Sequence, residues 1–159
     1  MRIAAAALVC GLLVTSAHAH DRGESSPWSE RDGWVHVGTD REKGDVTYVA
    51  VDHLLRAGDA VFVETLRVEA SVDERFGTNQ AHYHMLLDCS DGTWTRISYR
   101  GYRPDGTGSR LLDRPLGERE PLDQTSVLGR AFAIACMDAT EGLERIADPV
   151  AHAAGMIEE

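Results

Sequence analysis

Two cysteines, Cys89 and Cys136, place the strongest single constraint on how this chain folds. The sequence contains three cysteines, and the third, Cys10, lies in an N-terminal segment that we expect to be removed during export. In an oxidising compartment outside the cytoplasm the two remaining thiols pair, and two cysteines allow one intramolecular bridge. Closing a loop of this size destabilises the unfolded chain by roughly 4 kcal/mol, which is comparable to the net stability of a modest domain. The less favoured alternatives are two unpaired thiols or a bridge between two chains.

The N-terminus has the features of a bacterial signal peptide. Arg2 supplies a positive charge, a small and apolar run extends over residues 3–14, and residues 17–19 (Ala-His-Ala) provide the small-x-small pattern that signal peptidase cleaves. The run is shorter than the about 20 apolar residues that a transmembrane helix needs. We therefore expect a signal peptide over residues 1–19, cleavage near Ala19, and a periplasmic or secreted mature chain without a transmembrane segment. Lipidation at Cys10 is the less favoured alternative, because a bulky valine precedes it.

The charge of the chain argues against two classes of partner. The sequence has 16 basic and 26 acidic residues and a formal net charge of -10. Removal of a signal peptide that contains one arginine makes the mature chain one unit more negative. Such a chain repels phosphate backbones and anionic lipid, so we expect neither nucleic acid nor a membrane surface as its partner.

Alternating and β-branched residues predict a series of strands. We expect a flexible polar leader at residues 20–33 and a domain over residues 34–136 that begins at Trp34. The segments with strand character are 34–37, 46–52, 60–70, 81–89 and 93–100. Asp91-Gly92 marks a hairpin turn between the last two segments. Residues 71–80 and 101–120 are predicted to be irregular.

In the C-terminal part of the chain, apolar residues recur at the spacing of an α-helix. Capping side chains at residues 123–126 precede an apolar stripe of Leu128, Ala131, Phe132, Ala135 and Cys136. The predicted fold is therefore α+β: mainly an antiparallel β-sheet with one packed C-terminal helix and one strand-to-helix disulfide. Residues 137–159 are predicted to be an acidic, helical and partly disordered tail, because Pro149 interrupts its apolar stripe of Leu143, Ile146, Ala147 and Val150.

A series of residues between Trp34 and Cys136 carries a family resemblance. In chain order they are Trp34, the strand at 48–52, Leu54, Leu55, Arg56, Gly58, the strand at 61–66, the strand end Leu86-Leu87-Asp88-Cys89, Arg96, Tyr99, Pro121 and Cys136. In this order they resemble the surface-adhesin protein E family of small exported proteobacterial domains.

The resemblance implies an antiparallel sheet with a helix packed on it and joined to it by a disulfide. The named adhesin of the family is a lipoprotein that binds host matrix and serum proteins, whereas most relatives have no known role. This chain departs from that pattern in lacking a credible lipidation site and in continuing beyond Cys136.

His82 and His84 are the strongest candidates for chemistry. Two positions apart on a strand, they project from one face at a separation that a metal ion can bridge, and neutral imidazoles are the usual ligands of zinc or copper. Asp88 lies farther along that face, and His36 or His53 can approach from neighbouring strands. From the sequence alone we favour the alternative, a half-exposed strand face that carries polar residues by alternation. The other face is predicted to be the core face: Tyr83, Met85, Leu87 and Cys89.

Other patterns of functional residues are weaker. Cleavage after Ala19 makes His20 the mature N-terminus, and a terminal amine with an imidazole is the start of a copper-binding histidine brace, but the polar residues that follow give it no rigid base. No nucleophile motif is present. Glu118 and Glu120 lie in an irregular stretch and are interpreted as solvated. Trp28 and Trp94 are candidates for recognition, although packing is the commoner role for Trp94.

The sequence as a whole predicts a non-catalytic, envelope-associated or secreted binding protein. No cofactor is expected, and a protein is the candidate partner. The alternative is a periplasmic metal-binding protein that uses His82 and His84.

Overall fold

The computed structural model describes Trp28, residues 33–109, the backbone of residues 112–113, and residues 117–157. The signal peptide, the cleavage position near Ala19 and His20 lie outside the described residues, as does Cys10. The strands of the described part are β1 (Trp34–Asp40), β2 (Asp45–Ala50), β3 (Leu55–Ala57), β4 (Ala60–Val68), β5 (Gln80–Asp88), β6 (Thr93–Tyr102), β7 (Leu112–Asp113), β8 (Glu120–Pro121) and β9 (Arg145–Ile146). The helices are α1 (Val127–Met137) and α2 (Pro149–Ile157).

These strands form one antiparallel sheet in the order β7-β6-β5-β4-β2-β1-β9. β3 pairs with the start of β4, and β8 pairs with β6 near the hairpin turn. That hairpin lies at the predicted place, because Asp88 at the end of β5 faces Thr93 at the start of β6. The prediction of a mainly antiparallel sheet is confirmed.

The predicted disulfide is also present. Cys89 and Cys136 are bonded, with their Cα atoms 5.5 Å apart. Cys89 directly follows β5, and Cys136 lies in the last turn of α1. The bond therefore fixes the end of the helix to the end of a central strand, as the sequence predicts.

Helix α1 packs on one face of the sheet, which we call the α1 face. The helix begins after Ser126, whose hydroxyl accepts a hydrogen bond from the Gly129 amide at 3.0 Å, satisfying one of the free donors of the first turn. The core beneath it is aliphatic: Val35, Val37, Val49, Val61, Val63, Leu87, Ala131, Ile134 and Ala135. Gly38 allows the close approach, because a Cβ there would lie 3.0 Å from the Val127 side chain.

The opposite face, which we call the α2 face, is covered as well. Its core is Trp28, Trp34, Val46, Tyr48, Ala50, Leu66, Val68, Ile146 and Ala153. Trp28 falls within the predicted flexible leader, yet it is only 1% exposed, and its indole nitrogen donates to Gln80 Oε1 at 2.8 Å. The leader prediction is therefore wrong at this residue.

The C-terminal segment differs from the predicted helical tail. Residues 145–146 form β9, which pairs with β1 at the sheet edge. Pro149 does not interrupt a helix but begins α2, and the Asp148 carboxylate accepts from the amides of Val150 and Ala151 at 3.0 and 3.1 Å. Proline suits the first helical position because its missing N–H would have no intrahelical acceptor there. Neither described helix is both long and apolar enough to span a bilayer.

Candidate metal centre

The predicted pair His82 and His84 lies on the α2 face of β5, next to an acidic side chain from β4. Glu64 stands directly opposite His84 in the register of the two strands. Residues in that relation have neighbouring Cβ atoms and project to the same side of the sheet. One glutamate and two histidines thus share one patch of the α2 face.

The three side chains bring possible ligand atoms close together. One ligand atom from each of Glu64, His82 and His84 lies within 4.8 Å of the others. Glu64 Oε2 is 3.2 Å from His82 Nε2, and the two imidazole rings have centroids 4.7 Å apart and nearly perpendicular planes. We call this group the Glu64–His82–His84 cluster.

The cluster is largely withdrawn from solvent. The side chains of His82 and Glu64 are 7% and 14% exposed. The ring centroid of His82 lies 5.0 Å from that of Trp28 and 6.4 Å from that of Trp34. The half-exposed strand face favoured from the sequence is therefore wrong at His82, because the buried tryptophans of the α2 face cover it.

A neighbouring strand supports His84. The hydroxyl of Ser98 on β6 lies 2.8 Å from His84 Nδ1. Histidines that bind metals generally donate their second ring N–H to an acceptor, most often a carboxylate, a backbone carbonyl or a water, which fixes the tautomer and the ring orientation, and a serine hydroxyl oxygen can also accept such a bond. A bond from Nδ1–H to Ser98 leaves His84 Nε2 as the nitrogen with a lone pair for a metal.

The spacing of the ligand atoms suits a small divalent ion. Bonds of about 2.0–2.1 Å at a tetrahedral centre separate neighbouring ligand atoms by about 3.3 Å. Glu64 Oε2 and His82 Nε2 are already at about this separation, 3.2 Å. The ligand atoms of the other two pairs are at most 4.8 Å apart, so side-chain rotation has to bring them closer by at most about 1.5 Å. Two imidazoles and one carboxylate supply three ligands and leave one position open, a donor set found for zinc and for other imidazole-binding metals.

The other residues proposed from the sequence have separate places. His53, in a 3₁₀ turn after β2, has Nδ1 3.6 Å from Glu64 Oε1, so it borders the cluster from the solvent side. Asp88 lies at the far end of β5, where it accepts from Ser90 Oγ at 2.6 Å and pairs with Arg119 at 3.2 Å. His36 lies on β1, where its Nε2 is 3.1 Å from Thr39 Oγ1.

A second polar group on the α2 face has no counterpart in the sequence predictions. The Tyr48 hydroxyl lies 2.9 Å from His152 Nδ1, which joins β2 to α2. Burial, with a smaller contribution from the nearby Asp148 carboxylate, raises the pKa of the Tyr48 hydroxyl. Burial lowers the pKa of His36, a backbone hydrogen bond at Gly38 partly offsets this, and the nearby side chains of His152 and Arg130 lower the pKa further.

Glu64 is the functional candidate that the sequence analysis missed. Its strand was predicted correctly, and alternation alone places Glu64 on the same face as Phe62 and Leu66. The signal that would have identified it is the register between β4 and β5, which pairs Glu64 with His84.

Comparison with known proteins identifies no relative of this chain. No family model matches the chain, and no curated protein or solved structure shows significant similarity to it. The resemblance to the surface-adhesin protein E family therefore stays a prediction.

Proposed function

We propose that this chain is a metal-binding protein of the periplasm or the extracellular space, and that Glu64, His82 and His84 bind one zinc-like divalent ion. The observation that carries the proposal is the convergence of one ligand atom from each residue within 4.8 Å on a covered part of the sheet. The alternative function predicted from the sequence thus becomes the first candidate, with Glu64 as an added ligand.

The surroundings of the cluster favour a ligand site over a surface ion pair. A carboxylate and an imidazole removed from water both lose solvation, and a divalent cation compensates for that loss more completely than a single proton does. The ligands come from two adjacent central strands, a rigid base that holds them near a binding geometry without ordering a loop.

The proposed location outside the cytoplasm is supported by the disulfide. A bond between Cys89 and Cys136 persists in oxidising compartments and is rare in the reducing cytoplasm. The N-terminal sequence pattern independently predicts export.

Zinc titration of the metal-free mature chain, followed by competition with a chromophoric chelator, tests the proposal. We expect one zinc ion per chain. The near-isosteric changes Glu64→Gln and His84→Gln each remove a ligand, and we expect each to weaken zinc binding by about 100-fold or more, since residues that only support a ligand typically contribute about 10- to 100-fold. Circular dichroism verifies that each variant is folded.

Two control variants locate the binding. His36→Gln makes the same change at a histidine on another strand and should leave zinc affinity unchanged. His20→Ala removes the imidazole of the alternative N-terminal copper site and should also leave zinc affinity unchanged. Equal zinc binding by Glu64→Gln, His84→Gln and the unchanged chain, or binding that is lost with His20→Ala, contradicts the proposal.

Binding of a protein partner, which the resemblance to protein E implies, is a separate prediction. Cell fractionation is its first test, because a chain confined to the periplasm cannot contact host molecules.

A further inference from the structure

A cavity on the α1 face has features of a second binding site. It lies between the sheet and the first half of α1, has a volume of about 250 Å³, and is lined by residues of β2, β4, β5, β6 and the helix. This is roughly the liquid volume of eight water molecules, enough for a compact organic molecule. The Glu64–His82–His84 cluster is on the other side of the sheet, so the two sites are independent.

Most of the cavity wall is apolar. Met85 and Trp94 form part of its floor on β5 and β6, and Leu128 and Ala131 form its wall on α1. Binding pockets for small molecules commonly combine such an apolar lining with a few polar groups that orient the ligand.

Two arginines also line the cavity, and they differ in how their charges are compensated. Arg67 donates to the Glu69 carboxylate from Nε and from a terminal nitrogen, at 3.0 and 2.5 Å, and Asp45 lies 3.9 Å away. Arg96 has no carboxylate within salt-bridge distance among the described residues. Its buried Nε has no hydrogen-bond partner there, and its guanidinium group lies 5.8 Å from the ring centroid of Tyr83.

A guanidinium that has no carboxylate partner among the described residues and that lines an apolar cavity favours an anion. Arginine binds carboxylates through parallel N–H···O bonds, and such charge-assisted bonds are stronger where water is partly excluded. Tyr83 and Thr65 add neutral hydroxyl groups to the lining, and burial raises the pKa of Tyr83, so its phenol stays protonated.

We propose that this cavity binds a small monocarboxylate with a compact apolar body, the carboxylate pairing with Arg96 and the body lying against Met85, Trp94 and Leu128. A neutral ligand gives Arg96 no carboxylate partner, and an inorganic anion leaves the apolar wall in contact with water. Both features of the cavity are therefore needed to select the ligand.

NMR titration of the isotopically labelled mature chain with benzoate and with hexanoate, in the presence of EDTA, tests the proposal. We expect saturable shifts of the amide signals around Leu128 and Arg96. Benzamide, which has the same ring without the charge, and inorganic phosphate, which has charge without the apolar body, should each bind at least about 10-fold more weakly.

Three variants make the test specific. Arg96→Gln should weaken benzoate binding by roughly 10- to 100-fold, the usual effect of losing a charge-assisted hydrogen bond. Arg67→Gln removes a charge that Glu69 already compensates and should change binding less than about 3-fold. Leu128→Phe keeps Arg96 but narrows the cavity and should weaken binding as well.

Absence of saturable binding of both carboxylates would overturn the proposal, as would benzoate affinity that is unchanged by Arg96→Gln and Leu128→Phe. Equal affinity for phosphate and benzoate would also overturn it, because the apolar wall would then have no role. Since EDTA removes free zinc and the cavity is on the opposite face, failure here leaves the metal proposal standing, and failure of the metal proposal leaves this one standing.

Discussion

Removal of the disulfide should destabilise the protein by an amount that follows from the loop it closes. The bonded residues are separated by 47 positions. In the chain-entropy model such a loop lowers the entropy of the unfolded chain by about 13–14 cal/mol/K, which corresponds to about 4 kcal/mol at 25 °C. The double change Cys89→Ala and Cys136→Ala should therefore reduce the free energy of unfolding by about this amount.

Urea denaturation of a chain of residues 20–159, followed by circular dichroism, measures the effect. The midpoint should fall, and the slope of free energy against urea should rise, because an unfolded chain without the crosslink exposes more surface. The unchanged chain treated with a reductant is the matched control, since it keeps both sulfur atoms and loses only the bond. Its stability should agree with that of the double variant within about 1 kcal/mol.

A small loss in the free energy of unfolding would contradict the loop-closure explanation of the disulfide. If the double variant lost less than about 1 kcal/mol with an unchanged slope, the crosslink would not be constraining the unfolded chain as the loop-closure model requires. If the double variant were far less stable than the reduced chain, lost packing around the cysteines would explain the effect instead.

Three further predictions concern the cap of α1, the pH dependence and the metal. Ser126→Ala removes the acceptor of the Gly129 amide and should reduce the free energy of unfolding by about 1 kcal/mol, whereas Thr140→Ala, outside the helices, should have a smaller effect in the same urea assay. The lowered pKa of His36 means that the unfolded chain binds a proton more readily than the folded one, so stability in EDTA should fall as the pH drops below about 6.5. His36→Gln should reduce that fall, and an identical pH profile for both proteins would contradict the assignment. Zinc at 100 times its dissociation constant should raise the free energy of unfolding by about 2.7 kcal/mol, and the Glu64→Gln variant at the same zinc concentration should show little of this increase.

The sequence predicts the central part of the fold because the signals there are local. The five segments with predicted strand character correspond to β1, β2, β4, β5 and β6 in the structure. The hairpin at Asp91-Gly92 follows from turn chemistry, and the single possible pairing of Cys89 and Cys136 joins the sheet to α1.

The packing on the α2 face and at the β9 edge of the sheet depends on contacts between residues far apart in the chain, which the sequence does not predict. β9 has two residues and forms only because residues 145 and 146 pair with β1. Trp28 is surrounded by polar residues in the sequence, yet it packs against Tyr102 and His82 with ring centroids 4.7 and 5.0 Å apart. No periodic pattern of apolar residues around Trp28 in the sequence predicts this burial.

The sequence predicted only the two histidines of the candidate metal centre, because the third residue is brought to them by pairing between strands. Spacing along one strand places His82 and His84 on the same face. The third candidate ligand, Glu64, comes from another strand, and a shift of one residue in the β4–β5 register would turn it away from the histidines. Trp28 and Trp34 lie against His82, and the sequence did not predict this packing. His82 is therefore buried and not exposed to solvent.

X-ray diffraction from crystals of zinc-loaded residues 20–159, with anomalous data collected at the zinc edge, is the sharpest test of the metal site. We expect one strong anomalous peak on the α2 face, within about 2.0–2.2 Å of a Glu64 carboxylate oxygen and of one nitrogen from each of His82 and His84. A zinc peak at His36 and His152 alone, or the absence of any peak at the Glu64–His82–His84 cluster in fully loaded crystals, would contradict it.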